Sequence, residues 1–142
     1  MFDERVRSVM QRRVLKAPPQ TLVNEAAKLM ANRNVGAIMV VEAARLVGIC
    51  TERDIVFRVV ALGLDVQTTR IADVMTPAPV TVDPDKPFGY ALLRMHEGGF
   101  RHLPVIKDGK IVGIVSARNA MDPALEEFEH EVRRRNRYQE KG

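Results

Sequence analysis

The feature that most limits what this chain can fold into is that it repeats itself. Displaced by 65 residues, Val9-Met10 falls on Val74-Met75, Pro19 on Pro84, Ala26 on Ala91 and Met30 on Met95. The same displacement puts Val40 on Val105, Val47-Gly48-Ile49 on Val112-Gly113-Ile114 and Arg53 on Arg118, with no gap. Between these identities the changes are like for like: Val6/Ile71, Val23/Phe88, Ile38/Leu103, Val41/Ile106, Leu46/Ile111, Thr51/Ser116 and Asp54/Asn119. A unit of this length buries too little apolar surface to stand alone, so the two copies are expected to pack on each other. At 142 residues and 46% hydrophobic, the chain has the material for such a pair.

Each copy reads as the same order of elements. Val23, Ala26, Ala27 and Met30, and likewise Phe88, Ala91, Leu92 and Met95, recur at helical spacing behind the turn residues Pro18-Pro19-Gln20-Thr21 and Asp83-Pro84-Asp85. Two short apolar runs follow in each copy, Ala37 to Val41 then Leu46 to Cys50, and Leu103 to Ile106 then Ile111 to Val115. Lys107-Asp108-Gly109-Lys110 is a strong hairpin turn, while Glu42-Ala43-Ala44-Arg45 is a weak one. A second helix is expected from Thr51 to about Leu62, with a counterpart starting near Ser116. Short extended pieces, Val14-Leu15 and Pro79 to Val82, precede the first helices. The expected fold is α/β (α+β): two β-α-β-β-α repeats packed sheet to sheet as a pseudo-twofold pair, plus a C-terminal helix. The division is repeat 1 over residues 6–62, a linker over 63–70, repeat 2 over 71–121 and a charged helix and tail over 122–142.

Several classes are excluded early. No apolar run approaches the ~18 residues of a spanning helix, and the opening Met1-Phe2-Asp3-Glu4-Arg5 lacks a signal pattern, which argues against membrane insertion and secretion. The single Cys50 cannot form an internal disulfide, and its alignment with Val115 reads as a buried, inert thiol in a reducing cytoplasm. His96 and His130 have no ligand-spaced partners for a metal site, and no catalytic triad or dyad stands out, so catalytic and metal residues are expected to be none. A net charge of +4 favours anionic partners without choosing among them.

The sharpest local pattern is Gly48-Ile49-Cys50-Thr51-Glu52-Arg53-Asp54, repeated as Gly113-Ile114-Val115-Ser116-Ala117-Arg118-Asn119. Both run from a strand into a helix start, where a hydroxyl and a carboxylate or amide three residues on make a helix cap. The same groups can also hold a phosphate and the hydroxyls of a ribose. With Phe100-Arg101-His102-Leu103-Pro104-Val105 in the second copy, the doubled pattern resembles a tandem pair of cystathionine β-synthase (CBS) domains over roughly Val6 to Met121.

That resemblance implies a regulatory binding module, not an enzyme. The implied ligands are adenine nucleotides, AMP, ADP or ATP, with S-adenosylmethionine or NAD as further members of the set, bound in two clefts between the repeats. It implies a homodimer and a regulated protein partner. Carried over residue by residue, the first cleft joins Thr51 and Asp54 to Val80, Phe100, Arg101 and His102, and the second joins Ser116 and Asn119 to Leu15, Val35, Gly36 and Ala37. In the second, Asn119 replaces the carboxylate and Gly36-Ala37 replaces the Arg-His pair. One lost charge-assisted contact, ~1.5–3 kcal/mol, makes the first cleft the tighter one by expectation.

The tail has a reading of its own. Asp122-Pro123 starts a helix, Leu125, Phe128 and Val132 form an apolar stripe suited to docking on the body or on a dimer mate, and the charge runs from Glu126, Glu127, Glu129 and Glu131 to Arg133, Arg134, Arg135 and Arg137. The alternative function is therefore a constitutive interaction or nucleic-acid-binding protein that uses this basic helix and leaves its clefts empty.

Overall fold

The computed structural model describes residues 2–120, 128 and 131–137. Each repeat folds a hairpin and lays a helix on it. In the first, α2 (Val23–Arg33), which follows a short α1 (Val6–Val9), buries Val23, Ala26 and Met30 against β2 (Ala37–Glu42) and β3 (Arg45–Thr51). In the second, α4 (Phe88–Gly98) buries Phe88, Ala91 and Met95 against β5 (His102–Lys107) and β6 (Lys110–Ser116). Both helices end on a left-handed residue at matching positions, Asn34 and Gly99, which lets the chain turn back into the hairpin. Both hairpins close over two left-handed residues, Ala43-Ala44 and Asp108-Gly109. The weak turn of the sequence is thus the same turn, built from alanines that carry the strain of positive φ.

The edge strands differ between the copies. β1 (Lys16–Ala17) runs parallel to β2, two residues beyond the expected Val14-Leu15, and the Met39 N–H donates to the Leu15 carbonyl at 2.8 Å. In the second copy only Val82 bridges to Val105. Pro104 stands where Met39 stands in the first copy, and a proline has no N–H to offer the Val80 carbonyl, so the ladder shortens.

The repeats are a pseudo-twofold pair held by exchanged segments. β4 (Thr76–Pro77), which opens the second copy, pairs with β3 of the first, while Gln11 of the first copy bridges Ile114 in β6. Core membership follows: Ile71 and Val74, from a short 3-10 turn (Ile71–Asp73), lie in the first core, and Val6 of α1 lies in the second. Met75 packs on Gly48, where a Cβ would meet its sulfur at 2.3 Å, and Met10 packs on Gly113 at 2.8 Å. Those two glycines leave room for the methionines of the opposite copy.

The exchange also explains the helix starts. The residues before α2 and α4 are Leu22 and Pro87, and neither caps by its side chain. Instead the Val23 N–H donates to the Thr69 carbonyl and the Phe88 N–H to the Glu4 carbonyl, so the first free N–H of each helix is met by the lead segment of the other copy. Arg7 of α1 pairs with Asp85 just before α4, which holds that carboxyl below its usual range, with Lys107 adding to the effect.

The second helix is short. α3 (Glu52–Ile55) passes into a π-helical turn at Val56–Val60, where a continuous helix to about Leu62 was expected, and its counterpart is a 3-10 turn (Ala117–Ala120). Residues 131–137 are helical and exposed, and the stripe residues Phe128 and Val132 are 65% and 38% exposed, so of the two expected surfaces, the body and a dimer mate, the body does not cover them. The start of that helix at Asp122-Pro123, Leu125 and the glutamates up to Glu129 lie outside the described residues. Among the described residues no helix is long and apolar enough to cross a membrane.

Candidate ligand site between the repeats

The exit of the first hairpin is a closed polar network. The Thr51 N–H and hydroxyl donate to Asp54 Oδ2 at 2.9 and 3.2 Å, and the Asp54 N–H donates back to Thr51 Oγ1 at 3.2 Å, which is a complete capping box at the start of α3. The other carboxylate oxygen accepts from the Thr76 hydroxyl at 3.3 Å, with Arg58 Nε 3.8 Å away. Arg58 in turn donates to the Met75 carbonyl at 3.0 Å. Asp54 is 7% exposed and is the one buried charged residue among those described. Just before it, burial pushes the Cys50 thiol up to about 12, with the Asp54 charge adding to the effect, which makes this an inert thiol.

An open cavity lies at the other cleft. A cavity of about 420 Å³ is lined by Leu15, Val35, Gly36, Ala37 and Ser116, five of the six residues assigned to the second cleft. The side chain of the sixth, Asn119, lies outside the described residues. Arg101 and His102, assigned to the first cleft, also line this cavity, as do Arg13, Glu52 and Arg118. Val80 and Phe100 are partly buried against the second core and do not line this cavity. The reason is symmetry. Gly36 and Arg101, Ala37 and His102, and Glu52 and Ala117 are equivalent pairs, and both members of each pair line the same space. Residues that share a cavity with their own equivalents lie at the pseudo-twofold axis, so the heads of β2 and β5 serve both sides of it.

Chemically the cavity joins an apolar wall, Val14, Leu15, Val35 and Ile114, to a cationic mouth formed by Arg13, Arg101 and Arg118. His102 lies between them; burial pulls its imidazole below the usual range, Glu52 opposes that pull and Arg101 reinforces it. A second hollow of about 340 Å³ adjoins the cavity through Asn34, Val35, Gly36, Glu52 and Arg118. Among the described residues no group of three His, Cys, Asp or Glu side chains could hold a metal ion. Sequence reasoning missed Arg13, Glu52 and Arg118 as lining residues. Glu52 and Arg118 stand inside the doubled motif, so a signal was present, while Arg13 had none beyond its place just before the edge strand.

Comparison with known proteins agrees with this architecture. The CBS domain family matches residues 6–61 and 71–126. The CBS domain-containing protein CBSCBSPB5 of Arabidopsis thaliana is 36% identical over 130 residues, which cover 89% of this chain and 24% of that protein, so the chain spans about a quarter of its length. The CBS domain-containing protein YhcV of Bacillus subtilis is 38% identical over 111 residues, 78% of this chain and 79% of that one. A CBS domain protein of Pyrobaculum aerophilum, solved in complex with AMP, superposes with a TM-score of 0.74 at 28% identity, over 82% of this chain and 89% of that one. With both repeats matched and the two-core architecture in place, this chain belongs to the CBS domain family, as a tandem pair of CBS domains.

Proposed function

We propose that this chain is a ligand-sensing module that binds an adenine nucleotide, AMP, ADP or ATP, in the cavity between its repeats and signals the occupancy to a regulated partner by a change in the angle between them. The observation that carries the reading is the cavity itself. Its volume of about 420 Å³ lies in the range of small-molecule sites, it draws residues from both repeats, and it sets three arginines beside an apolar wall. Guanidinium groups suit phosphates, and the apolar wall suits a flat base. The AMP complex of the Pyrobaculum relative supports the ligand class. Asp54 is engaged on both carboxylate oxygens in the first cleft, which favours the second for the nucleotide in this reading, against the order expected from the motif. A homodimer is the assembly this reading carries.

Thermal unfolding of wild type, Arg118→Ala and Asp54→Ala against AMP, ADP, ATP, S-adenosylmethionine and NAD at matched ionic strength tests it. At a hundredfold excess over Kd a ligand adds ~2.7 kcal/mol, a rise of roughly 5 °C or more in midpoint. The expected result is a rise with an adenine nucleotide that Arg118→Ala diminishes and Asp54→Ala keeps. A folded wild type that no nucleotide stabilises sinks the proposal. In that case the exposed arginines at 133–135 and 137 become the better lead, read by a salt-steep affinity for nucleic acid.

A further inference from the structure

The charge of the cavity between the repeats points to a choice among nucleotides, and the inference rests on the nucleotide reading above. Arg13, Arg101 and Arg118 bring three positive charges, and Glu52 is the one carboxylate among the described lining residues. Glu52 is positioned twice over. Its N–H donates to the Gly36 carbonyl at 3.0 Å, and its side chain folds back over the same residue, so that a Cβ on Gly36 would stand 2.6 Å from Oε1. In the second copy the arrangement is inverted: the Ala117 N–H donates to the Arg101 carbonyl at 3.0 Å, the helix start has no carboxylate, and the strand head carries the guanidinium. A carboxylate from one copy and a guanidinium from the other thus enter one cavity at the pseudo-twofold axis.

Three positive charges less one leave two, which balances a phosphomonoester of about −1.5 to −2 at neutral pH. A second and third phosphate would bring roughly twice that charge and would have to approach Glu52. Glu52 also stands where the cavity meets the neighbouring hollow, the direction in which a longer phosphate chain has room to extend. We propose that Glu52 is a specificity-determining residue that restricts the cavity to ligands carrying a single phosphate, by neutralising one of its three arginines and repelling further phosphates.

The test is calorimetric titration of wild type, Glu52→Gln and Gly36→Ala with AMP, ADP and ATP at fixed ionic strength. Wild type is expected to bind AMP more tightly than ATP. Glu52→Gln should narrow that preference by about 3- to 10-fold, chiefly by gaining affinity for ATP, and the effect should shrink with added salt. Gly36→Ala keeps the charge but displaces the carboxylate, so it should change the preference in a folded protein even where Glu52→Gln fails to fold. A wild type that favours ATP, or an AMP-to-ATP ratio within twofold of wild type in whichever variants fold, overturns the role of Glu52 while leaving nucleotide binding in place. Binding of none of the three by wild type overturns the nucleotide reading, and this inference with it.

Discussion

The two hairpin exits are copies of one segment put to different uses. In the first, Thr51 and Asp54 close on each other, with Arg58 one turn on, and Asp54 reaches across to Thr76, so the carboxylate ties α3 to the lead segment of the other repeat. In the second, Ser116 and Arg118 line the cavity, and Asn replaces the aspartate. Duplication makes this division workable, because one junction can hold the repeats together while its equivalent borders an open cavity. It also shows that a motif read from sequence specifies a local geometry, and that its surroundings decide whether that geometry is buried between the repeats or borders open space.

The sharpest way to break this comparison is to remove the two key side chains separately. Asp54→Ala strands the Thr51 N–H, the Thr76 hydroxyl and Arg58, and should lower stability in urea unfolding by about 2–3 kcal/mol. Nucleotide affinity should stay within about threefold of wild type. Arg118→Ala should do the reverse, with stability within about 0.5 kcal/mol and affinity down about tenfold. If Asp54→Ala abolished binding in a protein of unchanged stability, the uses assigned to the two exits would have to be exchanged.

The two glycines under the exchanged methionines sharpen the comparison further. A Cβ on Gly113 would lie 2.8 Å from the Gln11 carbonyl oxygen, which is backbone, whereas at Gly48 the three nearest atoms belong to the Met75 side chain. Gly113→Ala should therefore cost about 2 kcal/mol and Gly48→Ala about 1 kcal/mol by the same assay, since a methionine can swing aside and a paired strand cannot.

Smaller effects come from the hairpin turns. Ala44 holds φ of +63°, so Ala44→Gly should stabilise the protein by about 1 kcal/mol, and Gly109→Ala at the matching position should destabilise it by a similar amount. The smallest effect is that of His102. Its native pKa lies below its unfolded value, so the unfolded state takes up the proton first. Stability is complete above about pH 6.5 and declines as pH falls below it. His102→Asn should flatten the decline, and a phosphate-bearing ligand beside the ring should offset it, both visible in midpoints measured from pH 5 to 8.

Much of this molecule was legible in the sequence for a physical reason. Apolar residues at helical spacing, alternating with hairpin signals and repeated at a constant offset, leave few packings open, and the first helix and the hairpin of each repeat lie where that pattern put them. Other features depend on partners distant in the chain. The carbonyls of Thr69 and Glu4 that meet the helix starts, and the methionines seated on Gly48 and Gly113, have no local signature. Nor has the left-handed Ala43-Ala44 turn, since alanine is a poor turn residue and adopts that conformation here because strands paired on both sides require it. The cavity was half legible. Its residues could be named from the motif, but not that Arg101 and His102, assigned to one cleft, also line the other, because nothing in a linear repeat marks which residues lie at its axis.

The reciprocal seating of Val6 in one core and of Ile71 in the other bears on how such a molecule could arise and come apart. A fragment holding only one repeat would expose a vacant groove and carry an unhoused arm that fits the groove of an identical fragment. Half-length chains are thus predisposed to clasp in pairs, and cutting the connecting loop should nick the molecule without releasing its halves. In this light the present chain is a joined version of that clasped pair, its two halves tied by one loop.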